Sequence, residues 1–91
     1  MFYEELVKIE DIAKQLIKEK YEKGYFECAA SYVQKFDCIR IKVRGYKKDD
    51  YSQRYLANYE IPVSIYEGRE NKESYIKNVI EYIMLKSFNF N

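Results

Sequence analysis

The sequence contains no histidine, a single proline and only two cysteines, Cys28 and Cys38. Without histidine the commonest general base is missing, and no Ser or Cys stands in a context typical of an activated nucleophile. Two cysteines and no histidine cannot supply the four ligands of a structural zinc site. No glycine-rich phosphate-binding loop is present either. These absences predict a protein that is not an enzyme and that carries no metal and no cofactor.

Long apolar runs are also missing, and none approaches the roughly 20 residues that a membrane-spanning helix needs. The start Met1-Phe2-Tyr3-Glu4-Glu5 lacks the basic residues and the apolar stretch of a signal peptide. We therefore expect a cytoplasmic protein without membrane association. A reducing compartment favours free thiols over a disulfide between Cys28 and Cys38.

Length and composition predict one globular domain that spans residues 1–91, since 47% of the residues are hydrophobic and 34% are charged. The formal net charge of +1 argues against a protein held on nucleic acid by bulk charge alone. Lys, Ile, Tyr and Asn fill 38 of the 91 positions. Because their codons are AT-rich, a low-GC bacterium, or a phage or mobile element living in one, is the expected source.

Two amphipathic helices are predicted, one at each end of the chain. Apolar residues at 3–4 spacing indicate a helix over residues 3–23, with Gly24 as its C-terminal stop. Asn71 is a suitable N-cap for a second helix that extends to about Ser87. Its apolar stripe consists of Ile76, Val79, Ile80 and Ile83.

Strand patterns fill the middle of the chain. Residues 25–33 alternate weakly and favour a strand over a short helix, whereas residues 37–44 alternate strictly between apolar and polar side chains. A polar turn follows over 45–50. From Tyr51 the residues of one parity are apolar or aromatic as far as Ile65, with Gln53 as the exception. Pro62 marks an edge strand or a break in this stretch, and Gly68 ends the sheet region.

The pairing of the last two strands is predicted from charge. Residues that face each other across two strands must both be even-numbered or both odd-numbered here. One allowed register opposes Arg40 to Glu60 and Tyr46 to Arg54. It is preferred over a neighbouring register that would oppose Arg44 to Arg54, since like charges repel. The preferred register leaves a seven-residue loop over 47–53. The complete prediction is an α+β domain of order α-β-β-β-α, with a three-stranded antiparallel sheet and two helices packed on one face.

The other sheet face is the candidate binding site. Residues 35–54 carry seven basic and three acidic residues. Basic side chains interleaved with tyrosines favour a partner-binding surface, for protein or for nucleic acid, beside the simpler interpretation of a solvated sheet face. The candidate partner-binding residues are Arg40, Lys42, Arg44, Tyr46, Lys47, Lys48, Tyr51 and Arg54.

Tyrosine is abundant, with 11 in the chain. Its large ring and polar tip suit binding surfaces. Tyr46, Tyr66 and Tyr75 are the tyrosines expected to be exposed.

The α-β-β-β-α order is similar to that of double-stranded RNA-binding domains, although Arg69-Glu70-Asn71-Lys72-Glu73 interleaves acids where those domains carry a basic cluster. The order also resembles that of small phage-encoded anti-CRISPR proteins. The segment Tyr59-Glu60-Ile61-Pro62-Val63-Ser64-Ile65, which leads into an acidic turn and a helix, is similar in style to theirs. This resemblance implies a non-enzymatic inhibitor that binds a host defence complex stoichiometrically through protein–protein contact. The alternatives are a nucleic-acid-binding module that uses the basic face and a homo-oligomer that pairs through an edge strand.

Overall fold

The N-terminal helix, α1 (Tyr3–Lys20), is amphipathic as the 3–4 spacing predicts. The computed structural model describes residues 3–88, except the side chains of residues 50–53. The buried stripe of α1 comprises Ile9, Ala13, Leu16 and Ile17. The predicted stop at Gly24 is wrong, because α1 ends at Lys20 and Gly24 is the first residue of the first strand.

Three strands follow, β1 (Gly24–Val33), β2 (Cys38–Lys47) and β3 (Asp50–Pro62). They form one antiparallel sheet in the order β1-β2-β3. The strand predicted over 25–33 is therefore confirmed. A single 3₁₀ turn, Gln34–Phe36, and Asp37 connect β1 to β2.

The register between β2 and β3 agrees with the charge argument, since Arg40 faces Glu60 and Tyr46 faces Arg54. The predicted seven-residue loop is wrong. Both strands continue past Arg54 to the pair Lys47–Asp50, and only residues 48–49 form the turn. The register shifts between Tyr46, which faces Arg54, and Lys47, which faces Asp50. Residues 51–53 have no partner of their own on β2, and they are part of β3 instead of a loop.

β3 is an edge strand of the sheet and ends at Pro62, so the edge strand or break predicted at this proline is confirmed. The apolar parity that runs on to Ile65 does not continue the strand, because a short helix, α2 (Val63–Glu67), follows. Val63 and Tyr66, three residues apart, are buried, whereas Ile65 is 44% exposed. The spacing in this segment is thus helical despite the run of matching parity. Gly68 caps α2, and its backbone N–H donates to Ser64 O at 3.1 Å.

The last helix, α3 (Lys72–Ser87), has the predicted bounds. Asn71 is its N-cap, since the backbone N–H of Ser74 donates to Asn71 Oδ1 at 2.9 Å. The predicted apolar stripe is buried, together with Met84. None of the described helices is long and apolar enough to cross a membrane.

The core lies between the sheet and the two long helices, which pack on the same face as predicted. Ile39, Ile41 and Val43 of the central strand are fully buried there. A salt bridge of 2.6 Å between Lys20 Nζ and Glu81 Oε1 joins α1 to α3 at the surface. The described chain is therefore a two-layer α+β domain with one face of its sheet covered.

Candidate interaction face of the sheet

The face of the sheet that points away from α1 and α3 is open to solvent. The strand registers place five residues of each strand on it, in five cross-strand rows. We call these fifteen residues the open face. From the turn end, the rows are Tyr25–Tyr46–Arg54, Glu27–Arg44–Leu56, Ala29–Lys42–Asn58, Ser31–Arg40–Glu60 and Val33–Cys38–Pro62. Eleven of the fifteen are exposed, so none of the described elements covers this face.

Most of the predicted contact residues lie together on the open face. They are Arg40, Lys42, Arg44, Tyr46 and Arg54. Lys48 belongs to the adjoining turn, and its Nζ lies 5.4 Å from the centroid of the Tyr25 ring. Lys47 has the parity of the helix-covered face and is half-buried. The side chain of Tyr51 falls outside the described residues.

Two of the arginines on the open face are paired with carboxylates of the neighbouring strands. Arg44 Nη2 lies 2.7 Å from Glu27 Oε2, and Arg40 Nη2 lies 3.2 Å from Glu60 Oε1. Such exposed pairs contribute at most about 1 kcal/mol to stability. Their main effect is to neutralise the two guanidinium groups and to hold them in place across the sheet.

Glu60 has a second partner, the Cys38 thiol, whose Sγ donates to Glu60 Oε2 at 3.3 Å. This hydrogen bond and the one from Arg40 lower the pKa of Glu60. Burial, followed by the same hydrogen bond to Glu60, raises the pKa of Cys38. The thiol therefore stays protonated at neutral pH and is a weak nucleophile.

The two cysteines are free and lie far apart in the sheet, which agrees with the expected free thiols. Cys28 faces Val43 on the helix-covered side, whereas Cys38 faces Val33 on the open face. Burial, followed by the negative charge of Glu10, raises the pKa of Cys28 to about 11. Within residues 3–88, leaving aside the side chains of 50–53, no three His, Cys, Asp or Glu side chains are grouped closely enough to hold a metal ion.

Among the open-face residues that sequence reasoning did not name as contact residues are Tyr25, Glu27 and Leu56. Tyr25 and Leu56 are 52% and 58% exposed, and Tyr25 lies beside Tyr46 in the row at the turn end. The signal in the sequence was strand parity, because odd-numbered residues of 25–33 and even-numbered residues of β3 lie on the open face. The parity of β1 became useful only once its pairing with β2 was known.

None of the three tyrosines expected to be exposed is exposed. Tyr66 is 3% exposed, and its hydroxyl donates to Glu5 Oε2 at 2.7 Å. Tyr75 is half-buried against the core. Both predictions are wrong because α2 turns Tyr66 inward and because Tyr75 follows the buried stripe of α3. The prediction for Tyr46 is wrong as well, since this residue is half-buried on the open face.

In comparisons with known proteins, the chain matches no family model, no curated protein and no solved structure. Function therefore has to be inferred from the residues themselves. Among these, the open face combines exposure, unbalanced charge and exposed apolar side chains.

Proposed function

We propose that this chain is a small non-enzymatic protein that binds another protein stoichiometrically through its open face. The observation that carries the proposal is the composition of that face. Tyr25, Leu56 and Arg44 lie exposed near one another at its turn end. Aromatic residues and arginine are enriched at protein interfaces and among their energetic hot spots.

The class of partner in this proposal is a host defence complex of the kind that anti-CRISPR proteins inhibit. Support for it comes from the element order and from the style of the segment over residues 59–65, which contains the end of β3 and the start of α2. An inhibitor of this kind acts by occupying a surface, so it requires a rigid interface and no catalytic group. The sheet supplies such a rigid surface.

The test is retention of a protein from the lysate of a low-GC bacterium on the immobilised chain, with nuclease in one arm. The variant Arg44→Ala/Tyr46→Ala removes one cation and one ring from the open face. Lys18→Ala/Tyr3→Ala is the matched control, because both residues are exposed on α1, in the other layer. Melting curves of both variants establish that they fold.

We expect wild type and control to retain one protein at equimolar amount after nuclease treatment, and the open-face variant to bind it at least about tenfold more weakly. That protein should belong to a defence complex whose activity falls as the chain is added in equimolar amount. Equal retention by the two double variants would exclude the open face. No retention above bare resin would overturn the proposal of a protein partner.

The second candidate is a module for single-stranded nucleic acid, favoured by the row Tyr25–Tyr46–Arg54. Two neighbouring rings can stack bases, and the adjoining cations can meet phosphates. If Lys42, Lys48 and Arg54 each met one phosphate, affinity for a 20-nucleotide strand would fall about 20-fold between 50 and 200 mM salt. An affinity that is unchanged over this range, measured by fluorescence anisotropy, would remove this candidate.

A further inference from the structure

The open face carries four cations, and described carboxylates neutralise two of them. Glu27 and Glu60 pair with Arg44 and Arg40. Lys42 and Arg54 form no ion pair with any described side chain. The face therefore keeps an excess of two positive charges, one at its centre and one at the turn end.

Lys42 has the most central position on the face, in the middle row of the middle strand. Its neighbours across the sheet are Ala29 and Asn58, both exposed and neither charged. Arg40 and Arg44 lie two residues away on the same strand, and their own carboxylate partners belong to the adjacent rows. A carboxylate that approaches Lys42 thus meets no acidic residue in its own row.

Beside this cation lies apolar surface. Leu56 is 58% exposed, next to Arg44 across the strands and two residues from Asn58 along β3. An aliphatic side chain offers a base nothing to stack on, whereas it can contact an apolar side chain of a protein. Glu27 and Glu60, in the rows next to Lys42, are each paired with an arginine, so they do not distinguish a phosphate from a carboxylate at Lys42. The exposed aliphatic side chain beside the cation is what favours an acidic protein segment over nucleic acid.

We propose that Lys42 binds a carboxylate of an acidic and apolar segment of the partner protein, and that Leu56 contacts an apolar side chain of the same segment. This inference rests on the proposed function, because it requires the open face to bind protein. It adds the chemistry of the partner, which is an acidic peptide segment. The paired arginines are not available to a carboxylate without first breaking their own ion pairs, so Lys42 is the central contact.

The experiment is selection from a displayed library of random 12-residue peptides on the full chain, on Lys42→Glu and on Lys18→Glu. Lys18 is an exposed lysine of α1, so the two variants have the same net charge. We expect wild type and Lys18→Glu to enrich peptides that combine acidic and apolar residues, and Lys42→Glu to lose these peptides. A resynthesised peptide should bind Lys42→Glu at least tenfold more weakly and Leu56→Ala at least threefold more weakly than wild type.

Enrichment of peptides without acidic residues, equal affinity for both charge variants, or no enrichment would overturn the inference. Displacement of the selected peptide by an equimolar 20-nucleotide single strand would assign the surface to nucleic acid and would overturn it as well. The proposed function fails separately. If the lysate partner is retained through Arg44 and Tyr46 but binds Lys42→Glu as well as wild type, the acidic-segment inference fails and the protein-binding face remains.

Discussion

The ring of Phe88 lies edge-on against the ring of Phe26, with 5.5 Å between the centroids and 88° between the planes. Phe88 follows the last residue of α3 and is only 3% exposed. Tyr55 meets the same ring at 6.4 Å between centroids. Phe88 thereby closes the core at the end of the sheet.

Gly45 makes room for this contact, and we predict that Gly45→Ala destabilises the fold. An added Cβ would lie 2.6 Å from Phe26 Cδ1 and 3.0 Å from Phe88 Cε1. Because both rings are packed, they have to shift, at a cost of about 1–3 kcal/mol in the free energy of unfolding. Urea denaturation measures it.

Gly68→Ala is the control, since its added Cβ would approach nothing closer than 3.3 Å and its φ of −77° suits alanine. We expect this variant to change the free energy of unfolding by less than about 1 kcal/mol. Equal stability of the two glycine variants would show that the rings at Gly45 move freely.

The sheet could be predicted where charge and parity acted together. Arg40 and Glu60 have opposite charges and equal parity, which was enough to set the register of β2 and β3. Alternation alone gave the wrong secondary structure at Val63 and Ile65, which belong to a helix. Pro62 ends the strand, and a single helical turn can carry alternating apolar residues by chance. Local alternation cannot distinguish these two structures over five residues.

The alternation of β2 predicted the open face, but it did not predict which of the charged residues on that face form ion pairs. The Arg44–Glu27 pair depends on the register of β1 against β2, and the 34–37 connection between these strands contains a left-handed residue. Sequence offered only a weak strand pattern over 25–33 and no rule for the connection. The unpaired state of Lys42 could therefore be recognised only in the folded chain.

Asp37 is that left-handed residue, with φ 47° and ψ 53°, and we predict that Asp37→Val destabilises the fold. A β-branched side chain in this region costs about 1–2 kcal/mol. The change also removes the hydrogen bond of 2.7 Å that the Tyr32 hydroxyl donates to Asp37 Oδ1. Asp37→Asn tolerates the same backbone and keeps an acceptor, so it should stay within about 0.5 kcal/mol of wild type. Equal unfolding midpoints for the two variants would contradict this account.

Alkaline pH should destabilise the protein through Cys28 and Tyr66. Burial raises the pKa of both groups, to about 11 for Cys28, and the hydrogen bond to Glu5 raises the pKa of Tyr66 further. A raised pKa in the folded state means that the unfolded chain loses its proton first, so the contribution of Cys28 is present below about pH 9 and is lost between pH 9 and 11. We expect Tm to fall from pH 8 to pH 10.5.

The fall in Tm with pH should be shallower in Cys28→Ala and in Tyr66→Phe, whatever their Tm at pH 8, because each lacks one of the groups that ionise first in the unfolded chain. Tyr3→Phe, at a ring 77% exposed on α1, is the control and should keep the wild-type slope. A slope that is the same in all four proteins would show that neither buried group controls the alkaline transition.

Glu10 blocks one edge of the sheet, and we predict that Glu10→Ala both destabilises the fold and promotes self-association. The carboxylate of Glu10 accepts the backbone N–H of Ala30 at 2.8 Å, on the edge strand β1. A charge-assisted hydrogen bond of this kind contributes about 1.5–3 kcal/mol, and its removal leaves an N–H that a strand of a second copy can pair with.

Glu10→Gln is the control, because it keeps a neutral acceptor. It should lose less stability and stay monomeric. Urea denaturation and light scattering at high protein concentration measure the two effects. If Glu10→Ala is as stable as Glu10→Gln and equally monomeric, then the side chain does not protect this edge, and association of the wild-type chain through β1 becomes the stronger hypothesis.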